Sequence, residues 1–111
     1  MKYSLDINII HSTEAKCQEV LDQLPKVSST DVWADQYDKS GVFLNEKGFY
    51  QCSCMIRFNE ETGREVFWQA VSNIQDIVQG CEIGSYIRKH LCYHDGNPPQ
   101  PCGEEIVYEV V

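Results

Sequence analysis

The hydrophobic period of this chain switches repeatedly, and the order of those switches constrains the fold more than any other feature. Tyr3, Leu5, Ile7 and Ile9 alternate with Ser4, Asp6 and Asn8. A period of two puts the apolar side chains on one face of a half-buried strand. Cys17, Val20, Leu21 and Leu24 then fall at i, i+3, i+4 and i+7, the apolar stripe of a short helix. Ser12-Thr13-Glu14 supplies a hydroxyl N-cap and an early acid for its start. Pro25 and Ser28-Ser29 end it.

Residues 31–38 read as a second strand, Ser40-Gly41 as a turn or bulge, and Val42-Phe43-Leu44 as the strand resumed. Asn45-Glu46-Lys47-Gly48 is a tight-turn sequence, with a glycine for a left-handed position. Phe49 to Phe58 is the clearest strand. Tyr50, Cys52, Cys54, Ile56 and Phe58 share one face, and Phe49, Gln51, Ser53, Met55 and Arg57 the other. Asn59 and Thr62 are candidate N-caps for a second helix, Thr62 having capping-box spacing to Glu65. Its stripe runs Phe67, Ala70, Val71, Ile74, Ile77, Val78, Cys81, with Gly80 as the stop. Tyr86 to His94 and Glu105 to Val111 read as closing strands around a turn-rich loop.

The order β-α-β-β-α-β-β predicts a single α+β domain over residues 1–111. Its expected form is a ferredoxin-like two-layer sandwich, an antiparallel sheet with two helices on one face. A fold reached from element order carries no function with it.

Charge narrows the function classes. The net charge is −8, with −2 carried by residues 1–59 and −6 by residues 60–111. Such a chain repels phosphate backbones, so direct nucleic-acid binding is disfavoured. It suits a protein partner with a basic surface, although net charge also serves solubility alone. The opening strand is not the continuous apolar run of a signal sequence, and no run approaches the ~20 apolar residues of a membrane span. A cytoplasmic location without membrane contact is the expectation. There, the six cysteines would be thiols or metal ligands rather than disulfides.

The segment from His90 to Cys102 is the candidate metal region. On a strand, His90, Cys92 and His94 share a face, and Cys102 could join them if the loop folds back. Zinc is the ion that four such N and S ligands would suit. Three alternating ligands span roughly 13 Å of strand, however, and paired motifs such as C-x2-C are absent. A Cys92–Cys102 bridge and a plain strand and loop are the competing readings. Cys17, Cys52, Cys54 and Cys81 fall on apolar faces and read as small core residues.

No nucleophile elbow, phosphate-binding glycine loop or His-Glu-x-x-His occurs, so no catalytic residue is assigned. His11 and Glu60-Glu61 read as surface and helix-start residues. The uncovered sheet face is the candidate contact surface, with Phe49, Gln51, Met55 and Arg57, joined by Tyr86 and Arg88. Met, Arg and aromatic residues are enriched at interface centres. Trp68 lies off the helix stripe and reads as a core-edge cap or a partner anchor, as do Trp33 and Tyr37. The resulting expectation is a non-catalytic, acidic interaction module of the inhibitor or immunity-protein type that covers a basic partner. A second copy of the chain is the other candidate partner. A metal or small-ligand domain at His90, Cys92, His94 and Cys102 is the alternative.

Overall fold

The computed structural model describes residues 2–24, 32–39, 41–58, 64–92 and 103–111, with only the backbone of Lys2, 32–39 and Cys92. It is an α+β fold. In chain order its elements are β1 (Lys2–His11), α1 (Glu14–Gln23), β2 (Val32–Lys39), β3 (Phe43–Leu44), β4 (Tyr50–Phe58), α2 (Arg64–Val78), β5 (Tyr86–Cys92) and β6 (Gly103–Glu109). The strands form one sheet in the order β2-β4-β1-β5-β6, with every paired neighbour antiparallel. Short β3 lies on β4 as well.

β1 occupies the centre of the sheet, paired on both edges. Leu5, Ile7 and Ile9 are buried, and they stand opposite Ile56, Cys54 and Cys52 of β4. On the other side Ile7 pairs with buried Ile87 of β5. Each fully buried aliphatic side chain of this kind contributes roughly 1.5–3 kcal/mol. The helices meet this same face. Cys17 of α1 touches Cys52, while Phe67 of α2 packs on Tyr3 at 4.5 Å and on Phe58 at 5.3 Å between ring centroids. The four cysteines expected in the core, Cys17, Cys52, Cys54 and Cys81, are all buried.

Local details follow from hydrogen-bonding needs. Thr13 is the N-cap of α1, and its Oγ1 accepts from Lys16 N at 3.3 Å. The strand expected from Phe49 begins at Tyr50. Phe49 N instead donates to Asn45 Oδ1 at 3.0 Å, and Gly48 takes a φ of 83° to close that turn. α2 ends at Val78, two residues before Gly80, whose φ is not left-handed. β3 continues the β2 edge of β4, since Lys39 faces Cys54 and Phe43 faces Gln51. The last strand pairs within its own sheet, and it starts at Gly103 rather than Glu105. The expected caps Asn59 and Thr62, together with Pro25, Ser28-Ser29 and Glu60-Glu61, lie outside the described residues. No helix among the described residues is long and apolar enough to cross a membrane.

Candidate functional site

The sheet face turned away from the core is assembled by register. β1 contributes Ser4, Asp6, Asn8 and Ile10. Opposite them on β4 stand Arg57, Met55, Ser53 and Gln51. On β5, His90, Arg88 and Tyr86 stand opposite Ser4, Asp6 and Asn8. Glu104 and Ile106 of β6 extend the face beside His90 and Arg88. Five of the expected contact residues, Gln51, Met55, Arg57, Tyr86 and Arg88, therefore share one surface. No described helix lies over it.

Its polar groups are largely engaged with each other. Arg88 Nη2 donates to Asp6 Oδ2 at 2.9 Å, and the Arg88 guanidinium sits 5.9 Å from the centre of the Tyr86 ring. The Asp6 contact pushes the Arg88 pKa up from its ordinary value, against an opposing effect of burial. Arg88 Nε is buried without a hydrogen-bond partner among the described residues. His90 Nδ1 lies 3.1 Å from Glu104 Oε1. The described acids of this face, Asp6, Glu104 and Glu109, stand against Arg57 and Arg88, so its charge is mixed with a small acid excess.

Sequence reasoning missed a line of amides along one end of this face. Asn45 Nδ2 donates to Gln51 Oε1 at 3.3 Å. Gln51 Nε2 donates to Asn8 Oδ1 at 2.9 Å, and Asn8 Nδ2 donates to Gly84 O at 3.2 Å. Gln51 therefore uses both ends of its amide inside the chain. Ser85 was equally unforeseen. It is fully buried, and its Oγ accepts from Ile10 N at 2.8 Å, tying the end of β1 to the start of β5. Partners 43, 75 and 76 residues apart carry no local signal of such pairing.

Two expected contact residues lie elsewhere. Phe49 sits in the Asn45 turn before β4. Trp68 is on the helix side, 37% exposed, edge-on to Phe67 at 5.3 Å. Lys89 Nζ lies 5.4 Å from the Trp68 ring centre and 3.1 Å from Glu105 Oε2. Lys89 alternates with Arg88 along β5, so this cluster faces the opposite way from the open face. Trp33 and Tyr37 have only their backbone described. His11 closes β1, and its Nδ1 accepts from Ser12 N at 3.0 Å, a local capping contact.

Of the four proposed zinc ligands, only the His90 side chain is described. The Cys92 side chain, His94 and Cys102 lie outside the described residues. Among the described residues, no three His, Cys, Asp or Glu side chains are positioned to hold a metal ion.

Part of the acid excess lies on the helices. The outward surface of α1 carries exposed Glu14, Glu19 and Asp22 against Lys16, and that of α2 carries Glu65 and Asp76 against Arg64. Asp22 and Asp76 fall near the C-terminal ends of their helices, where neither helix has a basic residue in its last turn. Negative charge at a helix C-terminus opposes the macrodipole and costs about 0.3–1 kcal/mol. A hydrogen bond from Gln18 Nε2 to Asp22 Oδ1 at 2.9 Å offsets part of this in α1.

Compared with known proteins, the chain matches no family model, no curated protein and no solved structure.

Proposed function

We propose that this chain is a non-catalytic interaction module, a ferredoxin-like two-layer sandwich whose acidic helix-side surface binds a basic surface of a protein partner in the cytoplasm. The observation that carries this reading is the acid on the helices. Solubility requires net charge somewhere, but it does not require aspartates near helix C-termini, where they oppose the dipole. Glu14, Glu19, Asp22, Glu65 and Asp76 form a field that would speed and select encounter with a positive surface. An inhibitor or immunity-type action is the form this takes if the partner handles nucleic acid, the carboxylates standing in for phosphates.

The open face supports a second contact, with a second copy of the chain. Met55, Tyr86 and a pre-paired Arg88 are residue types favoured at interface centres, and the face carries both signs of charge, which two copies could set against each other.

One experiment separates these. Partner capture at low salt, followed by salt elution, is compared for the wild type, Asp22→Asn/Asp76→Asn and Met55→Glu, with sedimentation reporting oligomeric state. The reading expects a bound protein released steeply by salt, with capture reduced in the aspartate double variant and unchanged in Met55→Glu. Salt-insensitive capture, or equal capture by the aspartate variant, sinks it. Loss of a dimer in Met55→Glu supports the open-face contact, and a wild type that sediments as a monomer removes it.

A further inference from the structure

Cys17 of α1 and Cys52 of β4 bring their Sγ atoms to 3.4 Å, and both residues are fully buried. Each is held by regular structure, Cys17 within a helix and Cys52 in a strand paired with Ile9 of β1, on whose other edge β2 gives way to β3. A disulfide has an S–S length of about 2.05 Å. The remaining gap, roughly 1.4 Å, has to be closed by side-chain rotation about the two Cα–Cβ bonds. Cys54 and Cys81 also lie near enough to influence Cys52 electrostatically.

We propose that Cys17 and Cys52 are a latent cross-link, a disulfide site that staples α1 to β4 when a low-molecular-weight disulfide such as oxidised glutathione accepts the electrons. A Cys17 thiolate attacks one sulfur of the small disulfide, which releases one small thiol and leaves a mixed disulfide on Cys17. The Cys52 thiolate then attacks the Cys17 sulfur and expels the second small thiol. Two S–H bonds are lost and one S–S bond forms, and the two protons and two electrons leave on the two small thiols.

Burial governs when this happens. Desolvation pushes both thiols up from their ordinary range, so few thiolates form in the closed fold and attack is slow. α1 is only ten residues long, and short peripheral helices open more readily than central strands. The cross-link therefore closes during folding or when α1 lifts, with Cys17 the first sulfur exposed.

The test is refolding of the full chain in glutathione buffers of graded oxidation, followed by alkylation, trypsin and tandem mass spectrometry. Cys52 and Cys54 share the tryptic peptide 48–57, so fragmentation between them assigns the partner. The expected result is a Cys17–Cys52 bridge with an unchanged near-UV circular dichroism spectrum and a Tm raised on the order of 10 °C over the reduced protein. A variant retaining only this pair, with Cys54→Ala, Cys81→Ala, Cys92→Ser and Cys102→Ser, is expected to bridge in the same way. Bridging of Cys17 to another cysteine, a Cys17–Cys52 bridge that destroys the native spectrum, or a wild type that stays fully reduced in the oxidising buffer overturns the proposal.

Discussion

Arg88 and Asp6, 82 residues apart in the chain, meet at 2.9 Å across the β1–β5 register. The pair is partly exposed, with side-chain accessibilities of 35% and 22%, so its net worth is modest. A double-mutant cycle of Asp6→Asn and Arg88→Gln, read by urea unfolding, is expected to give a coupling of ~0.5–1 kcal/mol that shrinks with added salt. A coupling near zero at low salt would show that the contact does not order the open face.

The helix-end aspartates should cost stability. Asp22→Asn and Asp76→Asn are each expected to raise stability by about 0.3–1 kcal/mol at low ionic strength, and by less at high salt. Asn at position 22 keeps an acceptor for Gln18, so the α1 change isolates charge from hydrogen bonding. Thermal melts at two salt concentrations measure this. A destabilised Asp76→Asn protein would assign Asp76 a structural role and remove the main support for the proposed binding surface.

Two glycines take positive φ for different reasons. Gly48 has a φ of 83° in open space, whereas Gly84, at 102°, would place a Cβ 2.9 Å from Ile10 Cδ1. Gly48→Ala is expected to cost ~1–2 kcal/mol from backbone strain alone. Gly84→Ala should cost somewhat more, because it must also push aside the flexible end of the Ile10 side chain. Equal losses in denaturant melts would mean that the Ile10 contact relaxes freely.

Cys81 links stability to alkaline pH. Burial, with smaller contributions from Cys17 and Glu82, pushes its thiol from an ordinary value of 9.0 up to about 11. The folded state then holds this proton more tightly than the unfolded state. Its contribution is fully present below about pH 9 and is lost as pH rises toward 11. Cys81→Ala should flatten the fall in Tm over that window relative to the wild type. Parallel wild-type and variant curves would show that Cys81 does not carry this linkage.

The elements and their buried faces were legible in the residues. Leu5, Ile7 and Ile9 on one strand face, Cys17 and Leu21 on one helix stripe, and Phe67, Ala70, Val71, Ile74 and Val78 on another are all buried. A strand alternates its side chains and a helix repeats them every 3.6 residues, so facing is a local property that short-range order reveals. The open face was foreseen for Gln51, Met55 and Arg57 on the same grounds.

Which strands adjoin, and what meets across them, was decided only by the tertiary structure. Register set Arg88 on Asp6, His90 beside Glu104 and Gln51 against Asn8. Packing turned Trp68 and Lys89 to the side opposite Arg88, and it brought the sulfurs of Cys17 and Cys52 together. These partners are distant in sequence, and no period within one element encodes them. Their meeting follows from burying three apolar surfaces at once, the inner sheet face and the stripes of the two helices. The sequence of this chain thus determined which side of each element faces inward. The tertiary structure decided which side chains those inward and outward faces bring together.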